Sequence, residues 1–554
     1  MDEERATPPV VIVGGGPVGM MVAMNMAALG VRSLVLNTGV DSRWHPKGST
    51  QNARTMEHYR RLGVVGKVRK VGLPPDHPTD VGYFTSLNGW EMARLPMPSE
   101  TEKMQRVREA PATDQVPEPL FRCNQMYAER ELHAHMKTVA LAESWYGWRC
   151  LAVADKGTHV EAEVEHVASG RRETLRCAYL VGADGGQSIV RRTLGIRYSG
   201  EVIDESKETD YGTGATISTH LRAPAIYRKV LKRKRCWQYW IVSGKGRSLL
   251  TALDGDSEFL LNTRCRSIAD PPDRAMIAQR LRDGIGEDVE IEYIAYSPWT
   301  AGQALVADSF GRGRIVLAGD AVHLFTPTGG FGMNTGIDDA ANLGWKLAAL
   351  VQGWGGPRLL ASFEAERRPI AFRNTGHAKR LSGDLNTVPI SPEMDTDSEA
   401  GARARAAAGK VLSTFGEEFA SIGVQLGARY DGSPIIAGDG ADPPPDDPAV
   451  YVPSSVPGGR APHLWLSDRS SLYDHLGPGF TLLRLPGARA DGRALTAAMA
   501  RRNIPFTCYD VPAPEARDLY QCGLALIRPD QHVAWRGDEE PGDCDALAAK
   551  VSGW

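Results

Sequence analysis

Apolar runs alternate with helical periodicity over the first 200 residues. Short apolar runs predict strands, whereas apolar positions three and four residues apart predict helices. The strand-like runs are 10–13, 33–36 and 178–181, and the helical stretches are 17–29 and 125–142. Strands that alternate with helices favour a parallel α/β layer.

The pattern then changes to short strands. From about 205 to 297, strand-like runs such as 237–242 and 248–253 are broken by glycine and charged residues, which is typical of an antiparallel sheet. Helical periodicity returns from 336 to about 380.

The last third of the chain opens with two loop-rich tracts, 382–401 and 437–448. Both are rich in proline, glycine and aspartate, so we expect neither to pack a core. Residues 451–554 have strand-like runs of their own, which predicts a separate small domain.

Composition narrows the class of protein. The chain has 554 residues, too many for one ordinary core, so two or three domains are expected. A net charge of −3 gives no indication that the protein binds nucleic acid. The basic run 228–235 is consistent with a localisation or polyanion patch, but a solvated surface turn is favoured because nothing around it is basic.

Cysteine use and hydropathy indicate the compartment. The eight cysteines form no CxxC pair and no histidine pair has zinc-finger spacing, so we expect reduced thiols and no metal site. Residues 1–10 are acidic and lead into a strand, so we expect no secretory signal there, and no apolar run approaches the ~18 residues that span a bilayer. We therefore expect a cytoplasmic protein without a nucleic-acid or membrane partner.

A glycine motif follows the first strand. Gly14, Gly16 and Gly19 form GxGxxG between an apolar run and a helix that begins near Pro17. The glycines permit a tight turn, close approach of the backbone to a pyrophosphate, and close packing of helix on strand. The start of the helix favours a diphosphate. Nucleotide binding is the favoured interpretation, and a purely structural glycine turn is the alternative.

Two further stretches place a carboxylate where a strand ends. Residues 178–196 contain Asp184 in "ADGG", and residues 313–350 contain Asp320 in "AGDA". The carboxyl ends of strands are the usual ligand edge of an α/β sheet. Neither stretch belongs to a plain dehydrogenase.

These three motifs, in this order and spacing, resemble the single-component (class A) FAD-dependent aromatic hydroxylases. Further similarity lies in 52–64, at Gln125 and in 362–371, so that the resemblance covers nearly the whole chain. The stretches 463–485 and 524–538 are similar to the thioredoxin-like third domain of the phenol hydroxylase branch.

The resemblance implies an α/β fold in which a Rossmann-like FAD-binding domain carries an inserted antiparallel substrate sheet and a thioredoxin-like C-terminal domain. The expected divisions are 1–204 (FAD-binding, with a substrate-domain segment near 80–120), 205–297 (substrate sheet), 298–385 (FAD-binding), 386–450 (connector) and 451–554 (thioredoxin-like). Because Cys508 and Cys522 are far outside CxxC spacing, we expect packing or subunit contact rather than dithiol exchange in the third domain.

The resemblance also implies FAD contacts. The pyrophosphate would lie against Gly14, Gly16, Pro17, Gly19 and Lys47. Gln125 would bind the ribityl or the phosphate portion of the flavin, and Asp320 would bond a ribityl hydroxyl. Asp184 would serve both the flavin and the approach of NAD(P)H. In the loop "TPTGGFGMN", Pro327 would lie beside the reacting edge, and the remaining flavin contacts would come from Gly330, Gly332, Met333 and Asn334. The start of the following helix would stabilise the anion formed on reduction.

Asn37 departs from the family pattern. The family has an acidic residue there, which accepts hydrogen bonds from the adenosine ribose of FAD. A neutral amide also suits the 2′-phosphate of NADP, but the other two motifs favour FAD. Asn37 then loses the charge-assisted part of the bond, on the order of 1 kcal/mol.

The implied chemistry is hydroxylation of a small phenolic or related aromatic substrate. NADPH or NADH reduces FAD, O2 forms a flavin C4a-hydroperoxide, and its distal oxygen attacks the ring. The family gates reduction on substrate binding through a mobile isoalloxazine, for which the loop glycines leave room. Oligomeric state is left open, with a homodimer as one option.

The base that ionises the phenol is not identified. Ser49 stands near the position where members of the phenol hydroxylase branch have Asp. His45 is a candidate, against an ordinary loop histidine, and His323 and Trp299 are weaker ones. Trp237 and Tyr239, with Trp240, are candidates for an aromatic pocket, although core packing is the favoured alternative.

Two other classes of function share part of the pattern. A flavin oxidase, dehydrogenase or halogenase would carry the first glycines and the Asp320 stretch but not normally the Asp184 stretch. A non-catalytic relative is expected to have lost Asp320 or the loop glycines, which this chain retains.

Overall fold

The computed structural model describes residues 8–42, 45–201, 214–231, 235–264, 273–301, 304–384 and 387–554. Its helices are α1 (Pro17–Ala27), α2 (Ala53–Arg61), α3 (Val65–Val68), α4 (Glu100–Glu109), α5 (Gln125–Met136), α6 (Ile189–Thr193), α7 (Arg274–Ile285), α8 (Phe331–Gln352), α9 (Arg358–Asp384), α10 (Glu399–Leu412), α11 (Ile422–Leu426), α12 (Arg493–Arg501), α13 (Glu515–Tyr520) and α14 (Cys544–Val551).

Its strands are β1 (Val10–Val13), β2 (Ser33–Asn37), β3 (Val81–Phe84), β4 (Glu91–Leu95), β5 (Ala142–Tyr146), β6 (Trp148–Asp155), β7 (Val160–His166), β8 (Arg172–Cys177), β9 (Tyr179–Gly182), β10 (Tyr198–Glu201), β11 (Gly214–Arg222), β12 (Gln238–Ser243), β13 (Gly246–Ala252), β14 (Glu258–Arg264), β15 (Glu292–Ala301), β16 (Ala304–Ala307), β17 (Gly311–Arg312), β18 (Ile315–Leu317), β19 (His323–Leu324), β20 (Phe480–Arg484), β21 (Phe506–Asp510), β22 (Leu524–Ile527) and β23 (Val533–Gly537).

The first sheet has the strand order β17-β18-β9-β1-β2-β5. Its neighbours from β18 to β5 are parallel, as the alternation of strands and helices predicts. All four apolar residues of β1 are buried, which is expected for a strand covered on both faces. Helix α1 packs against α8 beside this sheet.

Between β5 and β9, the chain forms an antiparallel sheet of β6, β7 and β8 that the sequence analysis missed. A smaller sheet joins β10, β16 and β19.

The substrate-domain sheet has the order β15-β11-β14-β13-β12-β3-β4. Strands β3 and β4 come from the segment near 80–120 that we expected to join it, and β3 pairs in parallel with β12. The prediction that 382–401 packs no core is wrong. Val388 and Met394 are buried in the apolar cluster of this sheet, and α10 packs against β4. The tract 437–448 is largely exposed.

The C-terminal domain has the predicted thioredoxin-like mixture of parallel and antiparallel strands. Its order is β21-β20-β22-β23, with β20 parallel to β21 and antiparallel to β22. Cys508 is exposed, whereas Cys522 and Cys544 are buried, and burial raises the pKa of the Cys522 thiol to about 11. A neutral, buried thiol is unsuited to dithiol exchange.

A buried ionic network joins α2, α8 and α9 to the C-terminal domain. Its five cations and five carboxylates are Arg54, Lys346, Arg367, Arg460, Arg528, Glu57, Asp338, Asp339, Glu366 and Asp530, all of them buried. Typical contacts are Arg460 to Glu57 at 2.5 Å, Lys346 to Glu366 at 2.6 Å and Arg528 to Asp530 at 2.6 Å. Pairing with opposite charges offsets the loss of water around these groups.

Arg228 and Lys229 of the basic run are exposed, but they lie in a π-helix, Ile226–Leu231, and not in the surface turn that the sequence favoured. Residues 232–234 lie outside the described part of the chain. Among the helices that the structure describes, none is both long and apolar enough to cross a bilayer.

Candidate functional site

The three sequence motifs meet at one edge of the first sheet. Val13 of β1 pairs with Gly182 of β9, and Gly182 pairs with Leu317 of β18. The segments that begin at Gly14, Ala183 and Ala318 therefore leave the sheet in the same row. This edge is the carboxyl end of parallel strands, where ligands bind in α/β sheets.

The glycine motif forms a tight turn that only glycine permits. Gly14 has φ +117°, and a Cβ there would lie 2.2 Å from the carbonyl oxygen of Ala183. A Cβ on Gly19 would lie 2.0 Å from the carbonyl oxygen of Gly14, whereas one on Gly16 would meet no atom within 4 Å. Gly16 therefore faces open space at the start of α1, which has Pro17 in its first turn and no side-chain cap. Uncapped amides at a helix start suit an anion.

Asn37 lies at the end of β2 beside this turn. Its Oδ1 accepts a hydrogen bond of 3.4 Å from the Gly15 amide, and its Nδ2 donates to the Gly39 carbonyl at 3.2 Å. The Tyr146 hydroxyl donates to the Gly15 carbonyl at 3.0 Å. Asn37 thus lies beside the glycine turn, and both ends of its amide form hydrogen bonds within the protein.

Replacing Asn37 by Glu is expected to tighten FAD binding about fivefold. A carboxylate accepts charge-assisted hydrogen bonds from ribose hydroxyls, which is worth on the order of 1 kcal/mol. The measurement is titration of apoprotein with FAD. An unchanged or weaker dissociation constant contradicts this account and means that the donation to Gly39 matters more than the charge.

Asp184 accepts two backbone amides at the start of α6 with one of its carboxylate oxygens. Its Oδ2 accepts from the amides of Ile189 at 2.7 Å and Val190 at 3.3 Å. Its Oδ1 is buried and has no hydrogen-bond partner among the described residues. Burial raises the pKa of this carboxyl. An orphaned buried acceptor at this edge fits a polar group of the cofactor.

Asp320 is exposed in a short 3-10 helix that follows β18. The loop around it is held from α8, because Asp339 accepts from the Gly319 amide at 3.1 Å and pairs with His323 Nε2 at 2.7 Å. His323 is fully buried and bonded to this carboxylate. This geometry favours a positioning role for His323. It argues against His323 as the base that ionises the phenol, for which the sequence made it a weak candidate.

The start of α8 is the second uncapped helix terminus at this edge. Gly330 precedes the helix with φ +65°, and no side chain caps it. The buried side chain of Asn334 donates to the carbonyls of Thr50 at 3.0 Å and Gly330 at 2.6 Å, and it accepts from the Asn52 amide. The Asn334 side chain thus fixes the loop. The backbone amides of Gly332 and Met333 lie in the first turn of α8, as the sequence predicts.

Lys47 and Gln125 lie on either side of Asn124, which the sequence analysis did not single out. Asn124 donates to the Lys47 carbonyl and to Ser49 Oγ, both at 2.9 Å, and caps α5 through the Met126 amide. Gln125 donates its backbone amide to the Gly48 carbonyl at 2.7 Å. The exposed Lys47 and the partly exposed Gln125 are therefore held close to each other.

On the substrate side, Trp237 contacts charged and aromatic neighbours. The centroid of its ring lies 3.9 Å from the guanidinium carbon of Arg122, and the ring is edge-on to the ring of Phe419. The Trp237 indole is buried, and its Nε1 has no partner among the described residues. Arg122 donates to Thr50 Oγ1 at 2.5 Å, so this cluster is joined to the segment beside the flavin loop.

The other aromatic candidates lie elsewhere. Tyr239 is fully buried in the sheet, packs near Phe84 and accepts from the Cys236 amide at 2.8 Å, so the structure favours core packing over pocket lining. Trp299 is bonded to Ser218 within the sheet. Pro327 is exposed at the start of the glycine loop, and His45 is half-buried, so both stay candidates.

Sequence reasoning missed Arg122 and Glu418. Glu418 accepts from the Gly329 amide at 3.4 Å, and its charge lies close enough to Arg122 that each perturbs the other's pKa. The two residues are far apart in the chain, and neither belongs to a motif. Only the electrostatic interaction that the fold creates between them identifies them.

The residues at this edge fit FAD. Two uncapped helix starts, an orphaned carboxylate oxygen and an exposed carboxylate face the same row of strand ends. Across the described part of the chain, no group of three metal-ligating side chains converges.

Comparison with known proteins agrees with this geometry. A family model described as the FAD binding domain matches residues 7–378, and one described as aromatic-ring hydroxylase, C-terminal, matches 454–554. The chain is 31% identical to FAD-dependent monooxygenase apdD of Emericella nidulans, over 98% of this chain and 90% of that protein. It is 30% identical to 4-methyl-5-nitrocatechol 5-monooxygenase of a Burkholderia species, over 98% and 97%.

A solved structure is also similar throughout. Chromopyrrolic acid-soaked RebC with bound 7-carboxy-K252c superposes with a TM-score of 0.87 at 34% identity, covering 99% of each chain.

Proposed function

We propose a function from the premise that this chain belongs to the FAD-dependent aromatic-ring hydroxylases. It is a flavoprotein monooxygenase that uses NAD(P)H and O2 to hydroxylate an aromatic substrate. Bound FAD supplies the redox chemistry, by accepting hydride and activating O2. The finer proposal is that the substrate is a phenol, held between the loop 326–330 and the Trp237 end of the substrate sheet.

This proposal rests on one observation, the set of contacts where the loop 326–330 meets the substrate sheet. Glu418 accepts the Gly329 amide on the loop side, and Arg122 covers Trp237 on the sheet side while bonding Thr50. A cation, a carboxylate and aromatic rings there match the needs of a phenol, which has an apolar ring and one acidic hydroxyl.

The FAD contacts follow from the edge of the first sheet. The amides at the start of α1 would hold the pyrophosphate, with Lys47 beside it. Asp320 would bind the ribityl chain, the start of α8 would face the pyrimidine end of the ring, and Asn37 would meet the adenosine ribose. The free oxygen of Asp184 supports its proposed place beside the cofactor.

The protein's own residues then prepare the ring for attack. The apolar and aromatic wall excludes water, which limits wasteful release of hydrogen peroxide. Arg122 stabilises negative charge on the phenolic oxygen, and ionisation raises the nucleophilicity of the ring. The cytoplasmic location stays a prediction, and the oligomeric state stays open, with a homodimer as one option.

The test is a panel of phenols assayed for accelerated NAD(P)H oxidation with product mass. The panel contains phenol, 4-nitrophenol, 2,4-dichlorophenol, an aromatic acid and a fused-ring phenol, each with NADH and with NADPH. We expect at least one phenol to stimulate oxidation and to gain one oxygen atom. Hydrogen peroxide without ring product across the panel contradicts the proposal and favours the oxidase alternative, and a halogenated product favours the halogenase.

A further inference from the structure

Glu418 lies between the loop 326–330 and a partly open cavity. It ends the 3-10 helix Phe415–Glu418, and its Oε1 accepts from the Gly329 amide at 3.4 Å. It also lines a cavity of about 170 Å³ with Leu381, Thr414 and Phe415. This volume is large enough to admit a single aromatic ring in part, and Leu381 and Phe415 supply apolar wall for it.

Arg122 supplies a cation whose charge acts on this carboxylate. Its guanidinium is held by Thr50 Oγ1 at 2.5 Å and by the ring of Trp237 at 3.9 Å. Its Nε is buried and has no acceptor among the described residues. The guanidinium is thus fixed in place, while one of its donors points to no protein atom that the structure describes.

Two further polar atoms close to this pair lack partners. The Tyr83 hydroxyl and the Trp237 Nε1 are buried, and neither has a hydrogen-bond partner in the described part of the chain. One orphaned group belongs to Arg122, one to the ring packed against it, and one to a tyrosine whose pKa is raised by burial and by the charge of Glu418. Because buried polar atoms are normally paired, the three together point to a polar ligand. A phenol offers the oxygen that would pair with them.

We propose that Glu418 is the general base for the substrate's phenolic hydroxyl and that Arg122 binds the phenolate oxygen as it forms. This inference rests on the proposed function, since it needs a phenol in the site.

The proposed step transfers one proton from the substrate to Glu418. The phenolic O–H bond breaks, and its electron pair stays on the oxygen beside Arg122. The proton passes to a carboxylate oxygen of Glu418, which becomes a neutral acid. The negative charge therefore moves from Glu418 to the ring, and no other reactant is required.

Charges around Glu418 set the pH range of this step. Burial raises the pKa of Glu418 to about 7, against the opposing effects of the Gly329 amide and Arg122. Burial lowers the pKa of Arg122 to about 9, so it stays a cation at neutral pH. The other groups that face Glu418 are Tyr83 of β3, whose pKa is raised by burial, and Glu417, which pairs with Arg380 of α9. A base is most effective when its pKa lies near the working pH.

The experiment measures kcat/KM for NAD(P)H oxidation by the holoenzyme from pH 5.5 to 9, with phenol and with 4-nitrophenol. In the wild type, we expect kcat/KM for phenol to fall as the pH drops through about 7, because Glu418 takes up a proton. Glu418→Gln should lower it at least about 100-fold at pH 7.5 and remove that acid limb. The loss should be under tenfold with 4-nitrophenol, a stronger acid that needs less help to ionise. Glu418→Asp should restore part of the rate and keep an acid limb.

Glu399→Gln is the matched control, because Glu399 lies exposed on α10 and pairs only with Arg403 in the described structure. It should match the wild type. FAD content of each variant shows whether it is folded, and Glu418→Asp keeps the test decisive should Glu418→Gln fail to fold. An unchanged acid limb in Glu418→Gln, or equal losses with both phenols, overturns the role of Glu418 while the proposed function stands. A wild type that neither phenol stimulates contradicts the phenol site itself.

Discussion

Replacing Arg528 by Met is expected to lower the free energy of unfolding by about 3–5 kcal/mol at pH 7, because it removes the cation that two buried carboxylates share and leaves Glu366 with Lys346 as its remaining cation. Arg528 is 1% exposed and donates to both oxygens of Glu366, at 2.6 and 2.9 Å, and to Asp530 at 2.6 Å. The measurement is equilibrium urea unfolding of the wild type and the variant at the same FAD concentration.

The control is Arg517→Met in the same domain. Arg517 pairs with Asp538 at 2.8 Å, but its side chain is 38% exposed and its partner's is 63% exposed. Water already stabilises such a pair, so we expect its loss to cost no more than about 1 kcal/mol. Equal losses of unfolding free energy in the two variants would show that burial does not increase the contribution of the ionic network to stability.

The pH dependence of the Arg528 variant follows from Glu366. Burial alone would raise the pKa of Glu366, but Arg528 and Lys346 outweigh it and hold the pKa at about 2. A depressed pKa contributes stability above the unfolded value of about 4.3, and this is lost as pH falls toward 2. Without Arg528 that pKa rises, so the carboxyl can protonate in the folded state. The loss of unfolding free energy caused by Arg528→Met should therefore be smaller at pH 5 than at pH 7.

The buried ionic network also explains how the third domain can matter to the flavin site without chemistry of its own. Arg367 pairs with Asp339 at 2.8 Å, and Asp339 holds the Gly319 amide beside Asp320. On its other side, the network reaches Arg528 and Arg460 of the C-terminal domain. Docking of that domain therefore supports the helices that position the cofactor loop.

Local sequence signals predict the cofactor edge because each motif is contiguous. The run VVIV, the glycines after it and the Asp-Gly turns are readable in a few residues, and β1, β9 and β18 bring them into one row. The sequence likewise predicts a helix that starts near Gly332, and α8 begins at Phe331.

Features formed by distant residues could not be predicted in this way. Arg122 and Glu418 become candidates only because the fold lets their charges interact and lets Glu418 accept from the Gly329 amide. Helix α10 was missed because it follows a tract rich in proline, glycine and aspartate, although its own residues are mostly alanine, arginine and glycine. Strand β7 was missed because its alternating glutamates resemble a solvated segment, whereas its valines pack into the core.

A true substrate is expected to accelerate anaerobic flavin reduction by NAD(P)H at least about tenfold, and Gly330→Ala should remove most of this stimulation. A tenfold change corresponds to roughly 1.4 kcal/mol in the barrier. A ligand can bias a moving group only through different affinity for its two positions. The loop that borders this motion must therefore keep its present shape.

Gly330 is the position where a side chain disturbs that loop most directly. Its φ of +65° costs a residue other than glycine roughly 1–2 kcal/mol, and a Cβ would lie 3.2 Å from the Cβ of Thr50. Thr50 in turn holds Arg122, so the disturbance reaches the proposed phenol site. The FAD contacts at the start of α1 lie elsewhere, so FAD affinity should change less than the stimulation does.

Gly376→Ala is the matched control for this experiment. Gly376 lies in α9, and the methyl group of an alanine there would meet no atom within 4 Å, so both FAD binding and stimulation should stay unchanged. Stopped-flow absorbance of the oxidised flavin, with and without substrate, gives the rates for all three proteins. Equal rates with and without a compound confirmed to be hydroxylated would defeat the gating hypothesis and leave the monooxygenase activity standing, because gating controls when the cofactor is reduced and not what the reduced cofactor does.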